Sequence, residues 1–175
     1  GNDLTINFTQ ATTTDAFNNV GNFTSLGAVD LNGTFATSGS QNYAGATTLS
    51  GDTTLIATTV EFSSEVTGND NNLTLSPSSD NMKLVGVELS GVDVLTVGGD
   101  LDLAGNLSAA DIDIQGNVSL LGDAGLVAYE NAAAGPVQIA GTVDGGHNLS
   151  VNGTTSFGGE VGGATPLASL NIEGG

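Results

Sequence analysis

The sequence predicts an all-β chain wound as a parallel β-solenoid, and three observations carry that expectation. Short runs alternate apolar and polar residues with period two, which puts one set of side chains inward on a strand and the other outward. Between the runs stand Gly and Asn, which tolerate the positive φ of tight corners. From Val94 to Leu121 the apolar positions recur at a step of about six residues. Three such short faces complete a coil of about 18–20 residues, the form in which a parallel solenoid is written.

Taken along the chain, Leu4-Thr5-Ile6-Asn7-Phe8 is the first alternating run. Val94 to Val97, Leu101-Asp102-Leu103, Ile112-Asp113-Ile114, Val118-Ser119-Leu120 and Leu149-Ser150-Val151 follow the same rule. Leu107 fills the face between two of these runs. The corners fall at Gly98-Gly99-Asp100, Gly105-Asn106, Gly116-Asn117, Gly122-Asp123 and Gly145-Gly146. A β-sandwich also has many short strands, but at a spacing of roughly 8–12 residues and with more aromatics. Thr14-Asp15-Ala16-Phe17 suits one capped helical turn, and Leu126 to Ala134 holds helix formers. Neither sustains a 3.6-residue period, so no helix is expected.

The chain also matches itself. Val60-Glu61-Phe62-Ser63-Ser64-Glu65-Val66-Thr67-Gly68 aligns with Val137-Gln138-Ile139-Ala140-Gly141-Thr142-Val143-Asp144-Gly145, an offset of 77 residues. Asn72-Leu73-Thr74-Leu75 then aligns with Asn148-Leu149-Ser150-Val151. A second echo links Ala16-Phe17-Asn18-Asn19-Val20-Gly21 to Ser156-Phe157-Gly158-Gly159-Glu160-Val161-Gly162. These stretches, with Gln41-Asn42-Tyr43-Ala44-Gly45, Asp52-Thr53-Thr54-Leu55 and Leu167-Ala168-Ser169-Leu170, resemble repeats of very large bacterial secreted exoproteins. Those are of the filamentous-haemagglutinin and autotransporter-adhesin kind. The resemblance covers residues 16–75 and 137–175, and Ser76 to Asn131 departs from it. It implies a right-handed parallel β-helix, export across the outer membrane and a role as stalk or adhesive fibre. It brings no catalytic residues with it. Residues 1–175 are expected to form one solenoid module, whether whole or part of a longer repeat chain.

Composition narrows the function. One Lys (Lys83), no Arg, no Cys, no Trp and one His (His147) stand against 19 Asp+Glu, for a formal charge of −18. A phosphate-backbone binder needs clustered Lys and Arg, so nucleic acid is excluded as a partner. Anionic membrane surfaces are repelled. No apolar run approaches the ~20 residues of a membrane-spanning helix, and no membrane insertion is expected. Without Cys there are no disulfides and no thiolate metal sites. Charged residues are only 11%, yet Leu, Val and Ile recur throughout, so the chain is expected to fold.

Acidic pairs are the first candidates for chemistry. Asp100/Asp102 and Asp111/Asp113 each share one face of a strand, with Leu101, Leu103, Ile112 and Ile114 on the other. Inward aliphatics leave these carboxylates on a solvated outer side. Weak Ca²⁺ binding is the one cofactor interaction they allow; glycoside hydrolysis is the remote alternative. Gly98-Gly99-Asp100-Leu101-Asp102 lacks the third Gly of a calcium-binding nonapeptide. His147 sits beside a turn whose repeat partner has no His, and is expected to be exposed. Lys83 is expected to be a surface ion-pair partner and cannot build a lyase site alone. No Gly-rich stretch ends in Gly-Lys-Ser/Thr, so no phosphate loop is present. Asn-x-Ser/Thr triplets occur at Asn7, Asn22, Asn32, Asn72, Asn106, Asn117, Asn148 and Asn152. In a chain this rich in Asn, Ser and Thr, chance accounts for many of them.

No catalytic, cofactor-binding or metal-binding residue is therefore named. The expected function is a non-enzymatic structural module of a secreted bacterial surface fibre or adhesin, located outside the cell. Its expected partners are itself, through neighbouring repeats, and surface glycans or proteins. The alternative is a self-assembling filament subunit that stacks end to end by strand addition, with Ile6 and Phe8 as anchors.

Overall fold

The computed structural model describes residues 1–7, 12–78, 82–130 and 133–174. They contain no helix and form a β-solenoid of about eight turns. Sixteen strands, from Asn2–Ile6 to Ser169–Glu173, belong to one continuous wound sheet. Strands of successive coils pair in parallel, at ~4.8 Å per coil, which makes a rod about 38 Å long. One described pairing is antiparallel: Tyr129 and Glu130 turn back on Ala134 and Ala133.

Three inward columns run the length of the rod. On the first face Leu4, Phe23, Gln41 and Val60 stack in register. Glu61 pairs with Lys83, and Met82, Leu101, Val118, Val143 and Val161 continue that column. The second face stacks Val29, Thr47, Val66, Leu89, Leu107, Leu126, Val151 and Ile172. The third stacks Phe17, Phe35, Leu55, Leu75, Val97, Ile114, Ile139 and Phe157. Each strand is short because three of them must close a coil around one core. Each inward residue then stacks directly on those of the coils above and below, which makes one continuous core.

The six-residue step is the spacing of these faces. Leu95/Val97 lie on the third, Leu101/Leu103 on the first, Leu107 on the second, and Ile112/Ile114 on the third again. All of them are completely buried. The shortest coil runs 17 residues from Leu101 to Val118, and the longest 25 from Val118 to Val143. The longest holds the antiparallel pairing of Tyr129 and Glu130 with Ala134 and Ala133. Thr14 to Phe17 and Leu126 to Glu130 both lie in strands.

The 77-residue self-match proves to be a repeat of faces rather than of coils. Val60 and Phe62 stand on the first face, whereas their counterparts Val137 and Ile139 stand on the third. The same short sequence thus serves two faces a third of a turn apart. Phe17 and Phe157, by contrast, occupy one column near opposite ends. Within the stretch from Ser76 to Asn131, Met82–Val97, Leu101–Ile114 and Val118–Glu130 keep the same columns; residues 79–81 and Asn131 lie outside the described residues.

The core changes character along the rod. Its first coils hold an aromatic cluster: Phe17 packs 4.9 Å from Phe23 and 5.1 Å from Phe35, and Tyr43 stacks on Phe62 at 5.0 Å. The Tyr43 hydroxyl donates to Gln41 Oε1 (2.9 Å), and Gln41 Nε2 donates to the carbonyls of Phe35 and Ile56. Burial pushes the Tyr43 hydroxyl pKa upward, so it stays protonated and remains a donor. The later coils are filled mainly by Leu, Val, Ile and Ala, with Met82 buried among them and Phe157 packed at the far end.

Corner glycines answer to two causes. Gly105 (φ 117°) and Gly145 (φ 131°) have the positive φ expected of them. At Gly116 the cause is close approach instead, because an added Cβ would lie 2.3 Å from the Gly99 carbonyl carbon one coil below. Gly141 meets Gly116 and Gly159 meets Gly141 in the same way, giving a glycine seam along one corner.

Candidate functional site

The corners, more than the faces, organise the polar side chains. Asp100 Oδ1 accepts hydrogen bonds from the Asn117 backbone N–H (2.7 Å) and from Asn117 Nδ2 (3.1 Å). Asn117 Oδ1 in turn accepts from the Thr142 N–H (2.9 Å) one coil further on. Asp3, Asn22 and Ser40 repeat the device at the same corner, with Asn22 N–H to Asp3 Oδ1 at 2.9 Å and Ser40 N–H to Asn22 Oδ1 at 2.9 Å. A second corner links Asp52 to the Asn72 N–H and Asn72 Oδ1 to the Val94 N–H. These carboxylate and amide oxygens satisfy corner amides that the sheet ladder cannot reach.

This placement revises the expectation for Asp100. It lies on the outer side as expected, but it is half-buried and clamps the next coil rather than standing free in water. Asp102, Asp111 and Asp113 are half-buried on the outer side too, while Leu101, Leu103, Ile112 and Ile114 are fully buried inside. Register sets Lys83 between Glu61 and Asp102, so the single Lys lies in an acidic column. Among the described residues no three His, Asp or Glu converge to hold a metal ion.

His147 is half-buried rather than exposed. Hydrogen bonds from the backbone and side chain of Asn148, with a lesser electrostatic contribution from neighbouring His147, hold the Asp123 carboxyl below the usual carboxylate range. Asp144 is held low by the N–H groups of Thr165 and Ala164, at 3.0 and 2.8 Å.

The Asn-x-Ser/Thr triplets have a structural origin in several places. Asn22, Asn72, Asn117 and Asn148 occupy corners, and Phe23, Leu73, Val118 and Leu149 begin the buried run of the next face. Thr24, Thr74, Ser119 and Ser150 then point outward. Corner acceptor, inward apolar and outward hydroxyl together spell the triplet, so coil geometry rather than chance supplies these four. At Asn22 and Asn117 the Nδ2 that would carry a glycan donates to Asp3 and Asp100.

A concavity opens on the outer surface of the second face. The outward column Glu88, Asn106, Gly125, Ser150 and Asn171 crosses the second face. Gly125 has no side chain, and a groove of about 380 Å³ opens there, bordered also by Asp123, Asn148 and Ser169. Asn106 Nδ2 donates to Glu88 Oε1 (2.9 Å), which turns its Oδ1 over Gly125, 2.5 Å from where a Cβ would stand. Further along the same strand come Val127 and Tyr129, the latter 47% exposed, with its hydroxyl bonded to Asn152 Nδ2. Nothing in the sequence singled out this strip. The signal was present, because Ala124, Leu126 and Ala128 are the inward set of a longer alternation whose outward set is Gly125, Val127 and Tyr129.

Among the described residues no helix is long and apolar enough to cross a membrane. Comparison with protein-family models, with curated proteins and with solved structures returned no match.

Proposed function

We propose that the chain is a non-enzymatic structural module of a secreted bacterial surface fibre or adhesin. The observation that carries this is the continuity of three inward columns through about eight turns. Such a body is stiff along its axis because pulling must shear parallel ladders coil by coil, and its acidic exterior keeps neighbouring rods apart. A side-chain inventory with one Lys, one His and no Arg or Cys offers little to acid–base or nucleophilic chemistry. Scattering and force spectroscopy on the purified chain test the reading together with a turnover assay. The expected results are a rod about 38 Å long, unfolding in steps of one or a few coils, and no cleavage of a panel of polysaccharides. A sphere in solution or a measurable turnover number would refute it. Immunogold labelling of the producing cells tests the location, and label confined to the cytoplasm would remove the fibre role.

A filament subunit is the second reading, favoured by apolar side chains open at the two terminal coils. Leu4 is 39% exposed at one, and Leu170 and Ile172 are 42% and 49% exposed at the other. Head-to-tail addition would cover them and build an open filament. Ile6 is partly buried against the core already, and Phe8 lies outside the described residues. Concentration-dependent light scattering at raised salt should show growth; a constant monomer mass removes this reading and leaves the first intact.

A further inference from the structure

We infer that the outer side of the second face, from the Gly125 groove to Tyr129, binds a neutral oligosaccharide. Gly125, Val127 and Tyr129 alternate on one strand, so they share a side and form a strip about 13 Å long. That length accommodates several sugar rings. At one end the groove is bordered by Asn106, Gly125, Ser150 and Asn171, and the Asn106 amide oxygen lies over Gly125, where it can accept from a sugar hydroxyl. At the other end Tyr129 presents an aromatic ring whose hydroxyl is tied to Asn152, which fixes its orientation. It differs from Phe23, Phe35, Tyr43 and Phe62, which are buried in the core. An exposed ring face of this kind matches the apolar C–H face of a pyranose. Between the ends, Val127 is flanked in register by Ser108 and Asn152, and Gly125 by Asn106 and Ser150. Hydroxyls and amides offer both donors and acceptors, as sugar hydroxyls require.

Charge selects the class of sugar. Lys83 stands on the first face and Asp123 borders the groove, so nothing in the strip balances a uronate, sulfate or phosphate. The net charge of −18 adds long-range repulsion of any anionic glycan. The inference is independent of the structural role proposed above, since a rod that binds no sugar is still a rod.

Nuclear magnetic resonance on the full chain is the test, with cellopentaose, mannopentaose and the N-acetylglucosamine pentamer as neutral probes and pentagalacturonate as the acidic one. The expected result is saturable shifts of the Tyr129 ring and the Gly125 amide with at least one neutral probe, at millimolar affinity or better. Pentagalacturonate should shift neither. Tyr129→Ala should weaken binding about tenfold, while Tyr129→Phe, which keeps the ring but loses its tie to Asn152, should weaken it less. Tyr129 is exposed, so its variants should melt like the parent. Gly125→Leu, whose Cβ would displace the Asn106 amide from over the strand, should abolish binding. No shift with any neutral probe up to about 10 mM, equal binding of the acidic probe, or affinity unchanged in Tyr129→Ala would each overturn the inference.

Discussion

Thr47 and Thr53 are both buried to within 1% of full enclosure, yet their hydroxyls fare differently. Thr53 Oγ1 donates to the Gly51 carbonyl (2.9 Å), closing a corner onto itself. Thr47 Oγ1 lies inside the second column, between Val29 and Val66, with no hydrogen-bond partner. An unpaired buried hydroxyl costs about 1–3 kcal/mol. Thr47→Val keeps the shape and removes that cost, so it should raise stability by roughly 1 kcal/mol in a denaturant melt. Thr53→Val should lower it by a similar amount, because its bond is lost. Equal effects of the two would mean that side-chain shape, not hydroxyl pairing, governs these sites. Residue-level legibility was uneven for the same reason. Inward and outward assignments follow from period two alone, so Leu101, Leu103, Ile112 and Ile114 fell on the core side as read. Partners one coil away lie 17 to 25 residues off in sequence, and no local pattern states whether Asp100 meets water or a backbone amide.

At the scale of the element, strand and corner divide the work: strands fill the core, and corners join coils through Asp and Asn side chains. Asp123 and Asp144 receive backbone N–H groups that hold both carboxyls below their ordinary range. A lowered folded-state pKa stabilises the fold above the unfolded value, and the contribution fades as pH falls through the folded value. It should therefore be complete above about pH 4 and diminish below it. Asp123→Asn and Asp144→Asn keep an oxygen acceptor but cannot titrate. Thermal melts from pH 6 down to pH 2 should show the parent losing its advantage over each variant as acid is added. A gap that stays constant with pH would mean that these carboxylates do not clamp their corners. The six-residue step made the faces legible in advance because a face is short enough to be a local pattern. The coil was not legible as a fixed period, since its length varies from 17 to 25 residues. For that reason the self-match could slip by one face. The groove escaped notice because what makes it is a missing side chain at Gly125 and a neighbouring coil.

For the molecule as a whole, 19 acidic groups and one Lys lie on a narrow body with a single continuous core. Mutual repulsion should make the rod more stable in salt at neutral pH: raising NaCl from about 0.02 to 0.5 M shortens the screening length from roughly 20 to about 4 Å. The melting temperature should climb over that range, and a flat response would show that ladder and core outweigh the charge. The parallel stacking has a further consequence. Eighteen net charges spread over about 38 Å amount to one per ~2 Å of axis, close to the ~1.7 Å of duplex DNA. At that linear density a polyion gathers a condensed sheath of counterions whatever the bulk salt. A cationic protein or polyamine meeting this rod would be driven on chiefly by the release of those ions. Its affinity should fall steeply and linearly on a log–log salt plot, as it does for a nucleic acid, although nothing in this protein is made of phosphate.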